Sequence, residues 1–133
     1  MNIIICIDDK NGYSLFGRRQ SMDKLVRQRI LTVVEENILY MNSYSEKQFD
    51  DGLLAVCDDF LSVVGDGEYC FIENVPFSIE KCEKIIIYKW NRSYPADMFL
   101  DYDYIRKNYH RTSLYEFSGS SHEKITEEIY VKQ

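Results

Sequence analysis

Histidine is nearly missing from this chain, proline is scarce, and no apolar run is long. Only His110 and His122 occur among 133 residues, twelve positions apart. The clustered H-x-H-x-D-H ligands with which two-metal hydrolases hold zinc and activate water are therefore absent, and no metal site is expected. Two prolines and six glycines exclude a low-complexity or collagen-like chain. The four cysteines, Cys6, Cys57, Cys70 and Cys82, form no C-x-x-C, and three lie inside apolar segments. They read as small buried thiols in a reducing compartment, so a cytoplasmic location is expected. No basic leader, cleavage site or span of some 18 apolar residues is present, so neither a signal peptide nor a membrane segment is expected.

Cations are also in the minority. The formal charge is −6, which argues against nucleic acid as a partner because phosphate contacts need a surplus of Lys and Arg. Yet six cations, Lys10, Arg18, Arg19, Lys24, Arg27 and Arg29, fall between residues 10 and 29 against Asp23 alone. That segment is suited to an anion, and the rest of the chain is strongly acidic.

What is present is apolar residue in the right periodicity. Hydrophobic residues make up 45% and charged residues 29%, enough for one compact domain over residues 1–133. The β-branched run at residues 2–7, stopped by Asp8 and Asp9, predicts a strand buried on both faces. Residues 10–20 read as a loop. Ser21 is positioned to cap a helix whose apolar positions Met22, Leu25, Val26, Ile30, Val33 and Val34 keep three-and-four spacing, with Asn37 closing it.

Residues 38–41 then predict a strand, 43–50 a short helix with Tyr44 and Phe49 inward, and 53–57 a third strand. Asp58 is expected to cap a helical turn reaching Val64, before a turn at Gly65, Asp66 and Gly67. Further strands are predicted at 69–75 and 84–90, flanking one helical turn at 77–81, and residues 91–95 form a turn-rich linker. The tail differs, because 113–117 and 125–131 alternate apolar and polar residues around Ser118, Gly119, Ser120 and Ser121, as a half-exposed hairpin does. The order implies a three-layer α/β fold with a mixed, mostly parallel sheet and a C-terminal antiparallel hairpin. Ligands of such sheets gather at the strands' C-terminal ends.

That order, with particular stretches, resembles dihydrofolate reductase along nearly the whole chain. The first strand, a loop carrying Gly12, and the run Gln20, Ser21, Met22, Asp23, Lys24, Leu25 resemble that family's opening strand, mobile loop and acid-bearing helix. The resemblance puts Asp23 at the position of the family's catalytic acid. Residues 85–90, 96–100, 114–117 and 128–130 resemble the last three strands and the acid-bearing loop among them. Three places depart from the family. Asn42, Ser43 and Tyr44 replace an Arg-containing turn, Glu73 and Asn74 replace a Gly-Gly pair, and Arg18 and Arg19 stand where the substrate loop has Pro-Trp. A carboxylate and two side chains where bare backbone must approach a pyrophosphate bring repulsion and obstruction, so NADPH binding in the family's manner is not expected and the cofactor is left open. The stretches 18–21, 69–75 and 118–125 are similar to a small uncharacterised bacterial family whose members sometimes carry a ribonuclease Z label, a label that the missing metal motif does not support.

The candidate residues follow. Asp23 is either a general acid with a pKa raised by burial or a carboxylate favoured by the helix dipole. Arg18, Arg19 and Arg27 either clamp a phosphate or carboxylate beside a helix start or pair with the acidic remainder. Asn42 and Ser43 are placed at the same cleft by the reductase resemblance. The stretch from Ser118 to His122 is either a nucleophile with its base or hairpin-turn chemistry. Asp97, Asp101 and Asp103 read as a solvated acidic loop, and the eleven tyrosines as core and sheet-face residues or as stacking and docking surface. Three functions compete at this point: a cleft for a small anionic or nucleotide-like ligand, with or without catalysis; a non-catalytic module that docks another protein or a second copy of itself; and RNA hydrolysis, which no metal motif supports.

Overall fold

A computed structural model describes residues 1–133. Its backbone is one seven-stranded sheet with a three-stranded antiparallel sheet beside it. The large sheet contains β1 (Asn2–Ile7), β4 (Leu39–Met41), β5 (Leu54–Val56), β6 (Tyr69–Ile72), β7 (Lys84–Lys89), β9 (Tyr109–Phe117) and β10 (Ile125–Lys132), in spatial order β5-β4-β6-β1-β7-β10-β9. The five strands from β5 to β7 are parallel, and β10 and β9 join antiparallel as the terminal hairpin.

The period-2 alternation of β1 divides the core. Ile3, Ile5 and Ile7 point to one face, where they meet Cys70, Ile72, Ile85 and Ile87 together with Phe60 of α3 (Phe60–Val63) and Ile105 of α4 (Tyr102–Asn108). Ile4 points to the other face, with Phe71, Ile86 and Tyr88. There α1 (Lys24–Val34) buries Val26, Ile30 and Val34, a stripe at four-residue spacing that keeps one helix side against the sheet. Helix, sheet and helix make the three layers. No helix is long and apolar enough to cross a membrane.

Several expectations are corrected. The cap of α1 is Asp23 and not Ser21, because the Asp23 carboxylate accepts from the amides of Leu25 and Val26 and the helix starts two residues later. The helix ends at Glu35, at positive φ, and not at Asn37, which supports that end by donating from side chain and backbone to the Val34 carbonyl. The expected loop at 10–20 folds into β2 (Gly12–Leu15) and β3 (Arg18–Arg19), which pair with each other, and β2 pairs on its other side with β8 (Met98–Phe99). Asp8, at the end of β1, organises this corner: its carboxylate accepts from the amides of Lys10, Gly12 and Tyr94. The helix expected over 43–50 is shorter, α2 (Ser43–Glu46), and it is Ser45 that turns inward, with Phe49 buried beyond its end. Asp58 does not cap α3; it accepts from the backbone and hydroxyl of Ser43 instead. The acidic stretch 97–103 is not simply solvated. Asp97 accepts from the Phe16 amide, and Asp101 caps α4, a helix the sequence reading omitted.

Candidate functional site

At the C-terminal ends of β1 and β7 the chain opens a cleft of about 490 Å³, lined by Leu15, Phe16, Arg18, Arg19, Gln20, Tyr94 and Pro95. The first five follow β1 and the last two follow β7, two parallel neighbours of the sheet. The edge of the cleft is the turn between β2 and β3, where Phe16 and Gly17 both have positive φ, 50° and 74°. Both central residues of a two-residue hairpin turn need that conformation when its twist is to match the strands. Glycine adopts it freely, but Phe16 carries strain of roughly 1–2 kcal/mol there. Its ring is also 81% exposed. A strained turn thus presents an aromatic ring to solvent at the mouth of a cleft.

The two adjacent arginines have different fates. Arg19 lies over the Tyr44 ring, its Cζ 4.1 Å from the ring centroid, and is held by Glu73, its Nε and Nη2 donating to the two carboxylate oxygens at 2.9 and 3.1 Å. Gln48 also donates to Glu73, at 2.7 Å. Arg18, one residue earlier, forms no ion pair and leaves its guanidinium exposed at the cleft.

Asp23 lies behind this cleft and not on its wall. Its side chain is fully buried, and it accepts from the backbone and hydroxyls of Ser120 and Ser121 as well as from its own helix. His122 Nδ1 lies 3.0 Å from its Oδ2. Burial opposes ionisation of this carboxyl, but the donors from Ser120, Ser121 and His122 outweigh it and hold the group well below the ordinary carboxylate range. Of the two readings of Asp23, the general acid with a raised pKa is therefore corrected, and the carboxylate at a helix start is the one that agrees with the structure.

His122 itself is enclosed. Its ring stacks on Trp90, centroids 4.6 Å apart and planes 23° apart. A proton on Nδ1 directed at the Asp23 carboxylate leaves Nε2 turned toward Tyr94 Oη at 2.9 Å and Ser21 Oγ at 3.2 Å. The turn between β9 and β10 is closed by the Gly119 amide donating to the His122 carbonyl. Gly119 passes so near the Asp23 carboxylate that no Cβ fits between them.

The remaining sequence candidates lie elsewhere. Arg27 is on a separate hollow of about 150 Å³ with Lys24, Gln28, Asp50 and Asp51. Asn42 caps α2 by accepting from the Ser45 amide and donates to Asn74, and Ser43 is occupied by Asp58. The structure thus brings Arg18 and Arg19 together, sets Asp23 behind them, and separates Arg27, Asn42 and Ser43. Sequence reasoning missed Phe16, Gln20 and the partnership of Ser21 with His122, and it offered Tyr94 as a stacking surface only as one of several tyrosines. No group of three His, Cys, Asp or Glu side chains converges as a metal cradle.

No family model and no curated protein matches the chain. Among solved structures it is similar to a dihydrofolate reductase from Enterococcus faecalis complexed with NADP(H) and RAB-propyl. The TM-score is 0.66 at 10% identity, over 99% of this chain and 95% of that one. At that identity the likeness shows the fold, which is dihydrofolate reductase-like as the resemblance of the sequence implied.

Proposed function

We propose that the cleft between β1 and β7 binds a small anionic ligand, with Arg18 as the charge partner and Phe16 and Tyr94 as surfaces for a flat ring. One observation carries this reading: an arginine without a carboxylate partner faces a cleft of nucleotide size at the carboxyl ends of parallel strands. Guanidinium groups bind phosphate and carboxylate through paired donors, and that capacity is still available in Arg18 where Glu73 has taken it from Arg19.

NADP(H), named with the Enterococcus protein, does not fit in the reductase manner. After β6, where a pyrophosphate would need bare backbone, Glu73 is fixed by Arg19 and Gln48, and Asn74 donates to the Gly17 carbonyl while accepting from Asn42. A fixed carboxylate there repels phosphate, and the side-chain network fills the approach. The ligand of this cleft is smaller: a carboxylate, a phosphate ester or a nucleoside monophosphate.

Thermal melting with inorganic phosphate, pyrophosphate, nucleoside monophosphates, folates and NADPH tests the reading. A ligand at one hundred times its dissociation constant adds about 2.7 kcal/mol, which raises the melting temperature of a chain this size by several degrees. The expected result is such a rise with at least one small anion, abolished in Arg18→Ala. No rise with any of them contradicts it.

A second reading is favoured by one feature, the outer edge of the terminal hairpin. β9 has no neighbour on its free side, and Leu114 and Tyr115 on it are 52% and 45% exposed. Paired antiparallel with a second copy about Ser113, it would set His110 across from Glu116 twice over, a complementary arrangement. Light scattering behind a sizing column, at increasing concentration, decides: growth of a dimer supports self-association, and a monomer throughout rejects it.

A further inference from the structure

Ser21, His122 and Asp23 are brought together from the coil before α1 and the turn between β9 and β10, 101 residues apart at the Ser21–His122 contact. Ser21 Oγ lies 3.2 Å from His122 Nε2, and His122 Nδ1 lies 3.0 Å from Asp23 Oδ2. These are the contacts and the order in which a hydroxyl nucleophile, an imidazole base and an orienting carboxylate operate on unrelated folds. We propose that Ser21 is a nucleophile and His122 its general base for acyl transfer, with Asp23 as the positioning residue, acting on an ester of a small anionic acid or alcohol.

Each part is held in the state this chemistry needs. Asp23 is locked by the Ser120 and Ser121 amides and hydroxyls, so it cannot rotate away from Nδ1. Trp90 fixes the plane of the imidazole from one face. A serine whose proton is offered to an oriented, unprotonated Nε2 has its oxygen activated. Tyr94, a wall of the ligand cleft, donates to the same nitrogen and lies 3.4 Å from Ser21 Oγ, so the relay reaches the cleft surface through it.

An independent observation comes from Gln20. Both polar atoms of its side-chain amide are buried without a hydrogen-bond partner. Gln20 and Ser21 line the same niche of about 10 Å³, room for a single oxygen atom. A buried amide N–H with nothing to bond is destabilising, and an oxygen acceptor arriving in the niche would relieve it, the Arg19 guanidinium offsetting the Glu73 carboxylate that borders the same niche. That is the role a side-chain amide has in an oxyanion hole.

The steps balance without a cofactor. Ser21 Oγ forms a bond to the ester carbonyl carbon while its proton passes to His122 Nε2. The tetrahedral intermediate breaks the carbon–oxygen bond of the leaving alcohol, which takes that proton. Water then attacks the acyl-serine and gives its proton to His122, and Ser21 departs as it recovers the proton, releasing the acid. The inference rests on the cleft reading only for the anionic portion of the substrate, which Arg18 would hold.

The test is covalent and does not depend on knowing the ester. The purified full chain is treated with a fluorophosphonate probe, in which serine oxygen displaces fluoride from phosphorus, and the adduct is mapped by peptide mass spectrometry. The expected result is one adduct, on Ser21, absent in Ser21→Ala and formed at least tenfold more slowly in His122→Asn. Asp23→Asn, which forces the imidazole into its other tautomer, should slow the labelling near neutrality with recovery in alkaline solution, a profile that a merely structural role would not produce. Should either variant fail to fold, the wild-type chain unfolded in urea is the comparison, and labelling confined to the folded chain supports the proposal. No adduct on Ser21 in the folded chain, or equal labelling in both states, overturns it. Phosphate-induced melting shifts are measured on the same preparation, so loss of the anion site and loss of the nucleophile are told apart.

Discussion

Asp23 shows how one residue acquires a role that its neighbours in sequence do not announce. Its place before Lys24 and Leu25 made it legible as an acid at a helix start, which it is. Its ionisation state was not legible, because Ser120, Ser121 and His122 lie almost a hundred positions away and nothing local implies them. Removing the carboxylate would leave the part-buried amides of Ser120 and Ser121 and the buried His122 imidazole without their acceptor and also remove a helix cap. Asp23→Ala should therefore lose at least about 3 kcal/mol in urea denaturation. The pH dependence follows from the direction of the shift. The folded carboxyl sits below its ordinary value near 3.8, so its contribution is complete above that value. It is lost as the pH falls through the ordinary range toward the lower folded value. In Asp23→Asn, urea midpoints measured from pH 5 to pH 2 should fall less steeply than in the wild type; an equal slope would remove the claim.

At the scale of elements, the helix and the parallel strands were legible because their periodicity is local. The stripe of Val26, Ile30 and Val34 and the Ile run of β1 carry it. The small sheet of β2, β3 and β8 was not, because its strands have two to four residues and owe their pairing to Asp8 and to a turn with an unexpected Phe. α4 was within reach: Asp101 stands as its cap and Arg106 and Lys107 fill its last turn, the ordinary start and stop signals. The turn itself makes a prediction in two directions. Phe16→Asn places a residue tolerant of positive φ in the same turn and should raise stability by about 1 kcal/mol. The same change should weaken any nucleoside monophosphate more than it weakens inorganic phosphate, because only the former has a ring to stack. Melting curves with each ligand read both effects.

A second element-scale contact ties α1 to the hairpin. Arg29 donates through Nε and Nη2 to Glu127 of β10, and Tyr88 of β7 donates to the same carboxylate at 2.8 Å. Glu127 is wholly buried, so Arg29→Met would leave its charge without its cation. Arg29 is partly open to water, which lowers the expected loss to about 2–3 kcal/mol, below that of a fully enclosed pair. Urea unfolding of Arg29→Met checks this, and a change under 1 kcal/mol would show that solvent already screens the pair.

For the whole molecule, the mostly parallel sheet with its antiparallel terminal hairpin was legible from the sequence of elements, whereas the use of the cleft was not. The chain keeps the parallel strands and the terminal hairpin of that fold, and with them a concavity above β1 and β7. It replaces the glycine-rich approach after β6 with Glu73 and Asn74, tied to Arg19, Gln48, Asn42 and Gly17. Of the three arginines expected to share a ligand, one is neutralised, one lies on another hollow, and Arg18 alone remains free at the cleft. Such an assignment depends on which carboxylate each guanidinium meets in three dimensions, information that spacing in the chain does not carry.

The central claim is that this cleft is an anion site, and it is tested most directly by a backbone amide NMR titration of the isotopically labelled chain with inorganic phosphate and a nucleoside monophosphate. The account predicts saturable shifts concentrated at Phe16 to Gln20 and at Tyr94, lost in Arg18→Ala. Shifts that never saturate, or that centre on Arg27 and Asp50 instead, would contradict it.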